Sequence, residues 1–261
     1  MTCLNTGKTM KYILLFLLLV CCGCSDSVTV QPNAKAVPEP AATPEPAATP
    51  EPVETAELTA TPEPWGGLVV ETRGVPLEDS TQVVVLLHGY GASGADLVSF
   101  ADQLAAEGRA FVFPAAPVKL DAGGLAWATL QSEIETSLES LQNLISYIHQ
   151  TYPDSEISVG GFSQGASMSS MLLKSETPIH HAILFSPGLF LRSIDKTSGA
   201  SPTVYISHGR DDKILPFSDA QKLKRMLSDA GFNVEFSAFD GGHTIPAKAL
   251  KEAKIQLDDA R

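Results

Sequence analysis

Cysteine is missing from almost the whole chain. The four present, Cys3, Cys21, Cys22 and Cys24, all sit near the amino terminus. A disulfide framework or a thiolate-held metal site is therefore excluded from everything downstream. Positive charge is scarce as well: 18 Lys and Arg stand against 30 Asp and Glu, for a formal net charge of -12. No cluster of basic residues interrupts this, so a nucleic-acid partner, which needs Lys and Arg along a phosphate backbone, is excluded. Long apolar runs are also lacking. The one exception, from Ile13 to Val20 and on into Cys21, is too short for a comfortable membrane span.

That run has the form of a secretory signal. Lys8 and Lys11 give it a basic start, and it ends in Cys22-Gly23-Cys24-Ser25. Met10-Lys11 offers a second translation start. The ending resembles the lipobox of bacterial lipoproteins, in which a small residue precedes a cysteine that is lipidated and becomes the new amino terminus. Cys24, preceded by Gly23, fits that role. Cys22, with Leu19 three positions earlier, competes with it, and Cys21 stands where leucine is usual. The alternative is a plain secretory signal cleaved nearby. Acyl chains on Cys24 would hold the protein to a bilayer, since each buried methylene contributes ~0.8 kcal/mol. Ser25 rather than Asp at the next position favours outer-membrane sorting, placing the protein lipid-anchored in a bacterial cell envelope. Residues 1–24 are thus read as a lipoprotein signal peptide.

Residues 25–64 carry the repeats PEPAAT, PEPAAT and PEPVET from Pro38 onward. These have no apolar face to stack, so they form a low-complexity linker rather than a solenoid. Proline fixes φ and removes backbone donors, which favours polyproline II. At ~3.1 Å per residue the repeat tract reaches about 80 Å. Much of the net charge belongs here, in Glu39, Glu45, Glu51, Glu54, Glu57 and Glu63. The segment reads as a spacer between bilayer and domain.

Residues 65–261 remain for one domain with a sizeable core. Gln82–His88 is a continuous apolar run of strand length, as a strand buried on both faces of a parallel sheet requires. Phe111–Pro114, Ile157–Gly161, Ala182–Ser186, Thr203–His208 and Val234–Phe239 are further strand candidates, with Leu68–Thr72 as an antiparallel edge strand. Helical spacing occupies Gly94–Gly108, Ser132–Tyr152, Gln164–Ser175, Ser218–Ala230 and Pro246–Ala260. Alternating strands and helices predict an α/β fold, a mostly parallel doubly wound sheet with helices on both faces.

The chemistry concentrates at the carboxyl ends of those strands. Gly161-Phe162-Ser163-Gln164-Gly165 follows one strand and opens a helix, the context in which Gly-x-Ser-x-Gly forms a nucleophile elbow. The helix start points free N–H groups, that of Gln164 first, to where negative charge would develop on a substrate. His88-Gly89-Tyr90-Gly91 follows the first buried strand, where this architecture places a second oxyanion donor. His208-Gly209-Arg210-Asp211-Asp212 ends another strand, and either acid could orient an imidazole. Gly241-Gly242-His243 follows the last strand. In this fold the order along the chain is Ser, acid, His, so His243 is the candidate general base and His88 is read as structural.

Taken together, LLHGYGASGADL (Leu86–Leu97), GGFSQGASMS (Gly160–Ser169), HGRDDKILP (His208–Pro216) and GGHTIP (Gly241–Pro246) resemble the phospholipase/carboxylesterase family of α/β-hydrolases. The resemblance covers about residues 68–258. It implies Ser163 as nucleophile, His243 as base and Asp212 rather than Asp211 as acid, with oxyanion donors from the backbone of Tyr90 and Gln164. It further implies that no metal or cofactor is used. The stretch Pro114–Trp127 resembles the family's lead-in to a substrate-groove tryptophan, so Trp127 is expected to wall an acyl or alcohol pocket.

The expected activity is hydrolysis of short- to medium-chain acyl esters, the substrate being a small-molecule or lipid ester. No long insertion suggests a lipase lid. Lysophospholipid, thioester or polysaccharide-linked feruloyl or acetyl ester hydrolysis would use the same residues. A catalytically silent, tethered binding domain is the non-enzymatic alternative.

Overall fold

The computed structural model describes residues 64–174, 179–195 and 202–259. The signal-peptide and linker readings, Cys24 included, lie outside the described residues.

A seven-stranded sheet is the spine of the fold. In chain order its strands are β1 (Val70–Gly74), β2 (Gln82–Leu87), β3 (Arg109–Pro114), β6 (Glu156–Phe162), β7 (His181–Phe185), β8 (Thr203–Gly209) and β9 (Asn233–Phe239), with the hairpin β4 (Val118–Lys119) and β5 (Leu125–Ala126) set apart. The spatial order is β1-β3-β2-β6-β7-β8-β9. Within this sheet all pairings are parallel except β1 on β3. The expected antiparallel edge strand therefore exists, two residues later than its sequence pattern suggested.

Each face of the sheet is covered by helices, as the alternation of elements predicted. Along β2, Val83, Val85 and Leu87 pack toward α2 (Gln131–Thr151), α3 (Gln164–Leu172) and α4 (Phe217–Asp229), where Leu141, Leu144, Met168 and Leu223 are buried. Val84 and Leu86 point the other way, to α1 (Phe100–Leu104) and α5 (Ala247–Asp258), where Leu104, Ala253 and Leu257 are buried. This is the period of two along a strand serving two cores at once. The architecture is an α/β-hydrolase fold.

Two elements differ from expectation. The helix anticipated over Gly94–Gly108 shrinks to α1. Gly94 takes φ +91°, and the Asp96 carboxylate accepts the Ser93 N–H at 3.0 Å, so the segment starts as a turn. The β4–β5 hairpin was not anticipated, because strands of two residues carry no readable period.

Arg109 ties the carboxyl-terminal helix to the sheet. Its guanidinium is fully buried and donates to the Leu257 carbonyl at 2.9 Å, to Asp258 Oδ1 at 2.9 Å and to the Gln82 side chain. This satisfies a charge that would otherwise be costly inside the fold.

Candidate active site

The parallel strands aim their carboxyl ends at one edge, and the loops leaving β2, β6, β8 and β9 meet there. At the end of β6 the chain turns so sharply that Ser163 adopts φ 58° and ψ -118°. A non-glycine residue held at positive φ costs about 1–3 kcal/mol and persists only where its surroundings enforce it. Here the Ser163 N–H donates to the Phe185 carbonyl at 2.9 Å, and the Ser163 carbonyl accepts the N–H and hydroxyl of Ser167 at 3.0 and 2.9 Å. The flanking glycines have a steric reason. A Cβ on Gly161 or Gly165 would overlap the Leu87 carbonyl oxygen, so α3 can start this close to β2 only without side chains.

Ser163 Oγ lies 2.8 Å from His243 Nε2, and His243 Nδ1 lies 2.6 Å from Asp212 Oδ2. The carboxylate can only accept, so Nδ1 carries the proton. Nε2 then presents its lone pair to the serine hydroxyl. The His243 ring also rests against Phe162, 4.7 Å between centroids. Of the two acids left open by the motif, Asp212 is the one turned to the imidazole, while Asp211 is exposed at the surface.

Asp212 is held with care. Its Oδ1 accepts the N–H groups of Ile214 and Leu215 at 2.8 and 2.9 Å. Burial alone pushes its carboxyl upward, but the hydrogen bonds from His243, Leu215 and Ile214 outweigh that and hold it below the usual carboxylate range. A further neighbour escaped the sequence reading. His208, at the end of β8, has its fully buried Nε2 3.3 Å from Asp212 Oδ2 and donates to the Leu215 carbonyl at 3.1 Å. Burial lowers its pKa, which favours the neutral ring. The only cue in the sequence was its place four residues before Asp212.

His88, read as structural, has both ring nitrogens engaged. Nε2 accepts the Ala116 N–H at 3.0 Å and Nδ1–H donates to the Gly89 carbonyl at 2.8 Å. Burial lowers its pKa too. It therefore has no nitrogen to offer a substrate.

The N–H groups of Tyr90 and Gln164 have no hydrogen-bond partner among the described residues, the condition that a pair of oxyanion donors requires. Trp127 departs from expectation. It is fully buried, so it cannot wall an open groove. Its indole N–H donates to the His88 carbonyl at 2.9 Å, and its backbone N–H to Gln164 Oε1 at 2.8 Å. The tryptophan is packed behind the site rather than in it. Among the described residues no three His, Cys, Asp or Glu side chains gather as a metal ion would need.

The profile of the phospholipase/carboxylesterase family matches residues 74–259. The chain belongs to this family. Acyl-protein thioesterase 1 of Eremothecium gossypii is 30% identical over 205 residues, spanning 67% of this chain and 87% of the relative. Carboxylesterase SOBER1 of Arabidopsis thaliana is 29% identical over 197 residues, spanning 64% and 86%. Among solved structures, the Bacillus cereus carboxylesterase superposes with a TM-score of 0.65 at 21% identity, covering 75% of this chain and 95% of that one, a likeness of fold.

Proposed function

We propose that this chain is a serine carboxylesterase acting on short- to medium-chain acyl esters, with Ser163 as nucleophile, His243 as general base and acid, and Asp212 as the group that orients His243. One observation carries the reading: the unbroken hydrogen-bond series from Ser163 Oγ through the His243 ring to Asp212 Oδ2, at 2.8 and 2.6 Å.

The steps follow from that series. Ser163 Oγ attacks the ester carbonyl carbon while His243 Nε2 takes its proton. The carbonyl oxygen becomes an oxyanion between the N–H groups of Tyr90 and Gln164. Collapse of this intermediate breaks the bond to the alcohol oxygen, which leaves with the proton from His243. Water then attacks the acyl-enzyme with the same proton traffic, releasing the carboxylic acid and restoring Ser163. The ionised Asp212 stabilises the imidazolium formed in each half. Two strongly exposed apolar side chains, Tyr90 and Ile214, sit on the loops after β2 and β8 that flank Ser163, which supports an apolar acyl group.

The test is a fluorophosphonate probe and a p-nitrophenyl ester ladder from acetate to palmitate on residues 65–261. Labelling lost in Ser163→Ala, with turnover highest on the shorter esters, supports the reading. A folded wild-type protein that neither labels nor turns over any ester sinks it in favour of a binding domain. The names of the relatives support a second reading, thioester hydrolysis by the same residues. An acyl-thiocholine series beside the oxygen esters separates the two by their kcat/KM.

The proposal extends to location: attachment to a bacterial envelope membrane through Cys24, with residues 25–64 as spacer. Its support is the apolar run ending in Gly23-Cys24-Ser25. Full-length protein should partition into detergent and carry an acylated amino-terminal peptide, and Cys24→Ala should abolish both. If Cys22→Ala abolishes them instead, the anchor is Cys22. An unacylated, cleaved terminus means a plain secretory signal.

A further inference from the structure

The two oxyanion donors come from segments that pack against each other, Gly165 on the Leu87 and His88 carbonyls, but share no hydrogen bond. Gln164 opens α3, and Tyr90 lies in the loop after β2. Among the described residues, no hydrogen bond runs between residues 89–92 and residues 163–165. A third segment reaches both. Leu125, in β5, exchanges two backbone hydrogen bonds with the oxyanion loop: the Gly91 N–H donates to its carbonyl, and its N–H donates to the Ala92 carbonyl, each at 2.8 Å. Two residues on, the Trp127 N–H donates to Gln164 Oε1 at 2.8 Å, and Gln164 Nε2 donates to the Ala128 carbonyl at 2.7 Å. The Trp127 indole N–H closes the figure on the His88 carbonyl, at the root of the oxyanion loop.

We infer that Leu125–Ala128 is a strap that sets the spacing of the two oxyanion donors, with Trp127 and the Gln164 side chain as its positioning residues. This rests on the serine esterase reading above. Gln164 then has two separate jobs: its backbone N–H faces the oxyanion, and its side-chain amide clasps the strap. The amide suits the clasp because it must accept from one backbone group and donate to the next. Glutamate could not donate, and methionine offers no donor and only a weakly accepting sulfur. The strap is in turn fixed from behind. The Ser137 hydroxyl of α2 donates to the Trp127 carbonyl, and Trp127 packs on the His88 ring at 5.4 Å between centroids. The geometric demand is strict: an oxyanion hole works only if both donors sit about 2.7–3.1 Å from where the oxygen will be. A loop free to drift by about 1 Å would forfeit about a hundredfold in rate.

The experiment compares wild type, Gln164→Met, Trp127→Phe and the double variant on p-nitrophenyl butyrate, with turnover counted per fluorophosphonate-titrated site. Affinity for a trifluoromethyl ketone is measured alongside, since its tetrahedral adduct with Ser163 places an oxyanion in the hole. Each single variant should lose about ten- to a hundredfold in kcat with KM within about threefold. Ketone affinity should fall in proportion to kcat/KM. The double variant should be little worse than the poorer single one, because both cut the same strap. Wild-type kcat per titrated site in a folded Gln164→Met protein overturns the inference, whatever Trp127→Phe does. So does a lowered melting temperature and fewer titrated sites with unchanged turnover per site, or ketone affinity that stays put while kcat falls. If wild type itself does not label at Ser163, the esterase reading has failed and the strap's role falls with it.

Discussion

The two sides of Ser163 are built by opposite means. On the acid side, everything that orients Asp212, apart from His243 itself, lies within eight residues of chain. His208, Ile214 and Leu215 all bond to Asp212 or to one another's backbone. On the side proposed for the oxyanion, the free N–H groups are set by segments far apart in sequence: the loop after β2, the Ala116 N–H on His88, the strap Leu125–Ala128 and the first residue of α3. A short self-bonded loop keeps its geometry even if its neighbours shift. A geometry assembled from four segments is only as exact as the core that brings them together. The acid side should therefore fail residue by residue, and the oxyanion side as a unit.

The largest effect tests what both sides serve. Ser163→Ala should lower kcat about a millionfold and abolish fluorophosphonate labelling, read by burst kinetics and intact mass. Next comes the choice between neighbouring acids. Asp212→Asn should cost about 10³–10⁴ in kcat, while Asp211→Asn, whose side chain is exposed, should stay within about twofold. Equal losses would mean that the acid loop is not the local device described.

His208→Phe keeps a ring against Phe217, 5.9 Å away between centroids, but removes the donor to Leu215 and Asp212. We expect kcat to fall about tenfold and stability by about 1–3 kcal/mol for the abandoned carbonyl. The unfolding midpoint in urea measures the latter. Smaller still, Ser137→Ala should cost about 1 kcal/mol of stability and lower kcat less than Gln164→Met does, since it loosens the strap from behind without cutting it. A large drop in kcat from it would show the strap to be more delicate than the clasp at Gln164 implies.

Acid pH sharpens the comparison from the other end. Asp212 is held below the ordinary carboxylate value, so the folded protein binds that proton more weakly than the unfolded chain. The stability this contributes is complete above roughly pH 4 and is lost as pH falls through the lower folded value. Unfolding midpoints of wild type and Asp212→Asn should therefore converge below about pH 4 and separate above it. Curves that stay parallel through that range would mean that the carboxylate is not held as its four neighbours suggest.

Most of the sheet was legible because each central strand is buried on both faces, and a double-sided strand shows as an uninterrupted apolar run such as VVVLL at Val83–Leu87. The meeting of Ser163 and His243 was legible because a strand followed at once by a Gly-flanked turn can place a side chain in only a few ways. The helix expected at Gly94–Gly108 was overdrawn because apolar spacing at Leu97, Phe100, Ala101 and Leu104 also suits a turn that folds onto the sheet and then makes one short helix. Trp127 was misplaced because its sequence neighbourhood cannot say on which side of the oxyanion loop it packs.

Local chain chemistry alone thus determined the layered α/β architecture, the sharp turn at Ser163 and the order in which Ser163, Asp212 and His243 follow along the chain. These follow from periodicity, from glycine at tight turns and from which strands end in polar loops. The choice of Asp212 over Asp211, the second imidazole at His208 and the strap through Trp127 and Gln164 were decided only by tertiary structure. Each depends on which way a side chain faces once the chain has folded, and the strap's hydrogen bonds, up to 39 residues apart, leave no period in the sequence that encodes them.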